Sequence, residues 1–243
     1  MIAFLLVCGS LAADLDAGAG RPEVIGAGRY QFGLTSAARL GLDERTELTL
    51  PGLATFVAPG FLIERVVHDG GGTALSATAG FSIPAPGIGL LEGTVLSSDP
   101  NSVVGMGAVA TAAATGGWSS DFIRIGFTTE VRVGGLSAPS TLDDTGLAWL
   151  DTWLAPMVHG PTPRLVLRAD VGDFRRWTLS GQTSASFVPG RGMDWHGRAM
   201  GEVAVGEHLG LAAGWAAAAT NTGGRRVLMG SPLVDVRVRG KLP

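Results

Sequence analysis

Apolar and polar residues take turns along most of this chain, and the cleanest run is Phe122 to Val133. Ile123, Ile125, Phe127, Val131 and Val133 share one parity; Arg124, Thr128, Glu130 and Arg132 share the other. A strand points successive side chains to opposite faces, so this segment carries one apolar and one charged face. The same beat recurs elsewhere. From Arg29, the residues Tyr30, Phe32, Leu34, Ala38, Leu40 and Leu42 stand opposite Gln31, Thr35, Arg39 and Asp43. Leu48 and Leu50 oppose Glu47 and Thr49, and Phe61–Val67 reads as a further strand. Leu75, Ala77, Ala79, Phe81 and Ile83 oppose Ser76, Thr78, Gly80 and Ser82. Arg164–Val171, Trp177–Val188, Trp195–Val205 and Pro232–Arg239 repeat the pattern.

Three segments beat less clearly. Val103–Thr115 and Ala212–Ala219 are rich in alanine, which also favours helix. Gly105, Gly107, Gly210 and Gly214 tip them to strand, because small residues on an inward face let a narrow barrel close. Leu147–Leu154 carries Trp149 and Trp153 and reads either as a strand or as part of a long surface loop. Short polar connections fall at Asp43–Arg45, His68–Gly72, Gly117–Asp121, Gly172–Arg176 and Gly206–His208. Longer ones fall at Pro84–Pro100, Gly134–Asp144, Pro189–Asp194 and Thr220–Pro232. Strands of ~9–11 residues joined by alternately short and long connections are the pattern of a membrane barrel. The expectation is an all-β, antiparallel up-and-down transmembrane β-barrel of about 12 strands, an even number being usual.

Composition sharpens that expectation. The 243 residues include 38 glycines and are 46 % hydrophobic but only 16 % charged, against about 25 % charged in soluble domains. No stretch has the roughly 20 apolar residues of a transmembrane helix; the uncharged run Pro100–Ser120 is broken by Asn101, glycines and hydroxyl residues. With a net charge of −3 and no basic stretch, nothing recommends nucleic acid, and none is expected as a partner. All but Lys241 of the 18 basic residues are arginine. Residues 1–13, from Met1 to Ala13, have an apolar centre with Ser10 and Ala12 where a signal peptidase expects small residues. Export is therefore expected, through the periplasm to the bacterial outer membrane. Cys8, the only cysteine, would leave with the signal, which suits an oxidising compartment. Residues 14–28 are expected as a mobile lead-in and 29–243 as the barrel.

Tyr30-Gln-Phe-Gly-Leu-Thr35, followed by Arg39-Leu-Gly-Leu-Asp-Glu-Arg-Thr-Glu-Leu48, resembles the first hairpin of many bacterial outer-membrane channel-like barrels. Gly206-Glu-His-Leu-Gly-Leu-Ala-Ala-Gly-Trp215 is similar to their late hairpins. The resemblance spans most of Arg29–Arg239, implies a porin-like barrel with outer-membrane lipid and the barrel-insertion machinery as partners, and carries no functional residues. Two features depart from it. The chain ends Val-Arg-Gly-Lys-Leu-Pro243 instead of on an aromatic residue, and Tyr30 is its single tyrosine. Trp118, Trp177 and Trp195 at strand ends supply part of an interfacial belt.

The candidate chemistry lies on the charged parity. Glu47, Glu64, His68, Arg124, Glu130, Arg132, Arg164, Arg168, Asp170, His196, Arg198, Glu202, Asp235, Arg237 and Arg239 would face the lumen. Either they line a water-filled channel for small hydrophilic solutes, with arginine in excess favouring anions, or they pair and plug a narrow barrel. A secreted soluble β-sandwich with an adhesin-like binding role is the competing fold, its polar face meeting bulk water. No Gly-x-Ser-x-Gly elbow, His-x-x-x-His spacing or phosphate loop is present. Asp194-Trp-His196 alone does not make a hydrolytic triad. Neither an enzyme nor a cofactor is expected.

Overall fold

The computed structural model describes residues 24–33, 36–50, 59–83, 107–136, 155–222 and 225–242. Twelve strands lie within them: β1 (Arg29–Gly33), β2 (Ala38–Gly41), β3 (Thr46–Leu50), β4 (Gly60–Gly70), β5 (Thr73–Ser82) and β6 (Gly107–Ser119). The second half holds β7 (Ile123–Leu136), β8 (Thr162–Val171), β9 (Trp177–Val188), β10 (Gly192–Val205), β11 (Leu209–Thr222) and β12 (Arg225–Lys241). Each pairs antiparallel with its chain neighbours, and β1 pairs with β12, so the sheet closes into a barrel. Closure rules out a two-sheet sandwich. It also removes the free edges that a membrane barrel cannot leave in hydrocarbon.

The parity read from the sequence is the parity of the wall. On β7 and β8, Glu130, Arg132, Arg164 and Asp170 are buried while Ile125, Phe127, Leu165 and Leu167 stand 44–52 % exposed on the outside. A water-soluble fold buries its leucines and exposes its arginines; this one does the reverse. The connections after β2, β4, β6, β8 and β10, all short, and both described chain ends lie at one rim, called here the turn end. The long connections 51–59, 83–106 and 137–161 lie at the other, the loop end, together with the short ones after β1, β9 and β11. Stepping across paired residues from Gln31 through Arg39, Thr49, Leu62, Gly80 and Thr111 leads to Arg132 and Thr162. Gln31 sits beside Arg239 near the turn end, whereas Arg132 and Thr162 are at the loop end. The strands are therefore strongly tilted, by about 40° as barrels of this kind require.

Large aromatics on the outer surface lie flat across glycines of the neighbouring strand. A Cβ on Gly240 would stand 2.5 Å from Tyr30 Cζ, and one on Gly230 2.9 Å from Trp215 Nε1. Tyr30–Gly240 belongs to the closing seam of β1 and β12, so the sole tyrosine covers the place where the barrel is joined. Ring over glycine shields backbone that has no side chain of its own. At the turn between β2 and β3, Arg45 N–H donates to Asp43 Oδ1 at 2.7 Å. That bond and the Thr46 hydroxyl hold the Asp43 carboxyl below its ordinary value.

Several expected elements differ. The beat from Tyr30 to Leu42 is a hairpin rather than one strand: Tyr30 pairs with Leu40 and Gln31 with Arg39. Parity survives the intervening turn, so alternation alone does not reveal it. Pro189–Asp194 is not a long loop but a tight turn, with Gly190 (φ 77°) and Gly192 (φ 97°) in the left-handed region. Thr220–Pro232 is mostly strand, since Asn221 pairs with Arg226 and Trp215 with Pro232. Pro232 is tolerated because odd-numbered amides of β12 donate toward β11 (Arg239 N–H to His208 O, 2.8 Å). The missing amide of Pro232 therefore falls on the β1 side, beyond the Gly33–Arg237 pair that ends the β1–β12 pairing. Leu147–Leu154, Pro84–Pro100 and the signal segment lie outside the described residues.

Candidate functional site

The lumen is built by the inward parity of all twelve strands. Register places Glu47, Glu64, Arg124, Glu130, Arg132, Arg164, Arg168, Asp170, His196, Arg198, Glu202, Asp235, Arg237 and Arg239 on this face. His68 is the exception. A β-bulge between Val66 and His68 shifts the count by one, so His68 pairs with the outward Leu75 and is exposed. Inward charges missing from the candidates include Arg39, opposite Thr49 on β3, and Asp194, opposite Ser186 on β9. Arg39 lay on the polar parity of its run, which was the available signal.

The charges are grouped. On β2 and β3, Arg39 Nε donates to Glu47 Oε1 at 2.5 Å and Arg39 Nη2 to Glu47 Oε2 at 2.8 Å. The backbone N–H of Ile25 donates to the same carboxylate at 3.0 Å, so the chain just before β1 is tied into the barrel. Glu64 stands in register with Glu47 across β3 and β4 and accepts from Ser76 Oγ at 2.6 Å. On β7 and β8, Glu130 is ion-paired with Arg132 and lies 3.9 Å from Arg164, whose Nη2 donates to Ser184 Oγ at 2.7 Å. Nearer the turn end, Arg168 Nε donates to Asp170 Oδ1 at 2.9 Å and Arg198 Nη2 to Gln182 Oε1 at 2.7 Å. Arg168, Gln182 and Arg198 are consecutive partners across β8, β9 and β10. Arg237 binds Asp235 at 2.7 Å and also Glu202, which Arg239 contacts as well. Arg191 and Asp194 pair at 3.3 Å where β9 turns into β10.

Between the charged groups the wall is small. Inward positions of β11 include Gly210, Ala212, Gly214, Ala216 and Ala218, and Ala216 sits beside Arg198 while Ala212 sits beside Glu202. A guanidinium needs room that a larger neighbour would take, so the alanine-rich run is the counterpart of the arginines on β10. A hydroxyl belt completes the surface: Ser76, Thr115, Thr128 and Ser184 are buried, and Thr115 and Thr128 share a hydrogen bond of 2.9 Å.

Access differs between the two ends. Side chains of Arg132, Glu130 and Arg164 are only 6–8 % exposed, whereas Arg168 and Arg239 reach 30 % and 39 %. The Glu130–Arg132–Arg164 cluster near the loop end is thus buried, while Arg168 and Arg239 on the turn side are partly exposed. Among the described residues no group of three or more His, Cys, Asp or Glu side chains is placed to hold a metal ion.

A closed antiparallel barrel, greasy outside and ion-paired inside, is a β-barrel of the bacterial outer-membrane type. No protein-family model matches the chain, and no curated protein matches it. Among solved structures it is similar in fold to outer-membrane-expressed OmpT of Vibrio cholerae: 7 % identity, TM-score 0.47, over 84 % of this chain and 64 % of that one. In-vitro folded OmpT of the same organism gives 8 % identity and TM-score 0.44, over 84 % and 63 %. A bacterial polysaccharide outer membrane secretin gives 11 % identity and TM-score 0.45, over 85 % and 68 %. The chain thus spans less than two thirds of OmpT, and likeness at such identity concerns shape alone.

Proposed function

We propose that the protein resides in the bacterial outer membrane, turn end to the periplasm, and that its lumen is a narrow passive pathway for small hydrophilic solutes, anions before cations. The observation that carries this reading is an inner face set with arginine from Arg132 near the loop end to Arg239 near the turn end. A barrel meant only to be solid has cheaper fillings, since buried ion pairs repay little of their desolvation. Arginine in excess of acid along the wall lowers the barrier for anions. Lipid contacts the outer wall and the insertion machinery delivers the chain; no catalytic step and no cofactor enter this reading.

A second reading, a sealed structural barrel, has the buried Glu130–Arg132–Arg164 cluster in its favour. Planar-bilayer recording separates the two. Small single-channel steps whose reversal potential in a KCl gradient favours chloride are expected. A heat-modifiable, correctly folded protein that stays silent would remove the pathway and leave the sealed barrel.

A further inference from the structure

At the loop end, residues 155–158, shortly before β8, form one helical turn. Ala155 is 1 % and Met157 6 % exposed. Met157 rests on the inner wall at two places where the wall has no side chain. A Cβ on Gly134 of β7 would stand 2.8 Å from Met157 Cγ, and one on Gly107 of β6 would press into its Sδ. Both glycines face inward, Gly107 opposite Leu136 and Gly134 opposite Val109. Two glycines on adjacent strands thus form a recess fitted to one methionine side chain, and methionine is the side chain best able to enter and leave such a slot.

The rest of the segment suits a part that moves. His159 N–H donates to Ala155 O at 2.8 Å and closes the turn on itself. Gly160 follows with φ 87° and nothing within 4 Å of where its Cβ would be. Thr162 then begins β8 in register with Arg132. The turn therefore lies close to the buried Glu130–Arg132–Arg164 cluster, held at one side by Met157 and joined to the wall through a glycine in open space.

We propose that this turn is a stopper for the loop-side mouth: Met157 is its anchor, Gly107 and Gly134 its seat, and Gly160 its pivot. The proposal rests on the lumen being the pathway described above, and it names what regulates that pathway. Val109 is buried to 4 % beside the seat and serves as reporter. In a Cys8→Ser background, Val109→Cys is labelled with a charged methanethiosulfonate on the folded barrel in nanodiscs, since thiol reactivity here follows access. Met157→Gly is expected to raise the labelling rate by about tenfold or more. Gly134→Val, which fills the recess, is expected to act in the same direction, with folding checked by heat-modifiability. A Ser180→Cys reporter in the turn half should label equally in all forms. Unchanged Val109→Cys labelling in the folded Met157→Gly variant overturns the stopper, even if the barrel conducts. Faster labelling of a barrel that never conducts supports the stopper and removes the solute pathway instead.

Discussion

Removing Glu130 tests whether its ion cluster near the loop end is as shielded from water as its packing indicates. Glu130 is paired with Arg132 and lies 3.9 Å from Arg164, all three side chains being 6–8 % exposed. Unit charges about 4 Å apart attract by about 4 kcal/mol at an effective dielectric of about 20. Glu130→Ala forfeits that attraction and leaves two guanidinium groups facing each other without their shared carboxylate. Breaking a buried pair from one side costs about 3–5 kcal/mol, and that is the expected loss here. Equilibrium urea unfolding in lipid vesicles, followed by tryptophan fluorescence, reads it. Asp173→Ala is the reference, because the Arg176–Asp173 contact is 3.8 Å long and 86 % and 38 % exposed; a loss below about 1 kcal/mol is expected there. Replacing Glu130, Arg132 and Arg164 together by methionine should recover most of the stability, since no charge is then left stranded. A Glu130→Ala loss no larger than that of the reference would refute the reasoning and show that water reaches the cluster.

Gly230→Val should displace the Trp215 indole from the outer wall, cost about 1–3 kcal/mol and shift the tryptophan emission; an unchanged spectrum and midpoint would disprove the close approach. Leu167→Lys, on the outward parity of β8, should cost about 2–4 kcal/mol of stability in bilayers, measured by the same urea titration. Asp43 should titrate below the ordinary carboxylate range when followed by carboxyl chemical shifts, because the Arg45 backbone N–H donates to its carboxylate. Because its folded value is depressed, its contribution to stability is present above the ordinary carboxylate range and fades as pH falls through the lower, folded value.

How much was legible in the residues depended on whether the deciding contact was local. Ile123–Val133 and Arg164–Val171 show their two faces directly, because a strand converts parity into side and lipid leaves no reason to vary it. Fourteen candidate lumen charges follow from that rule alone. Where the backbone changes phase, the rule fails silently: the bulge at Val67 carried His68 outward, and the turn after Gly33 hid a hairpin inside an unbroken beat. The total of twelve strands agrees for partly different reasons, since that hairpin supplies one strand and Leu147–Leu154 is outside the described residues. Glycine and proline misled at 189–194 and 220–232. Pro232 looks like a loop residue until the side its amide would face is known, and that depends on the β12 register. The seat of Met157 was out of reach, because Gly107 and Gly134 acquire meaning only when β6 and β7 lie beneath a segment 20 or more residues further on.

The central claim is that hydrocarbon touches the outward rows and nothing but the lumen touches the inward ones. Intermolecular nuclear Overhauser effects in lipid nanodiscs test it on three consecutive residues of β8. Acyl-chain methylenes should show cross-peaks to the methyls of Leu165 and Leu167, which are 52 % and 51 % exposed, and none to Val166, which is 2 % exposed. Cross-peaks from water to Leu165 and Leu167, or from lipid to Val166, would contradict it.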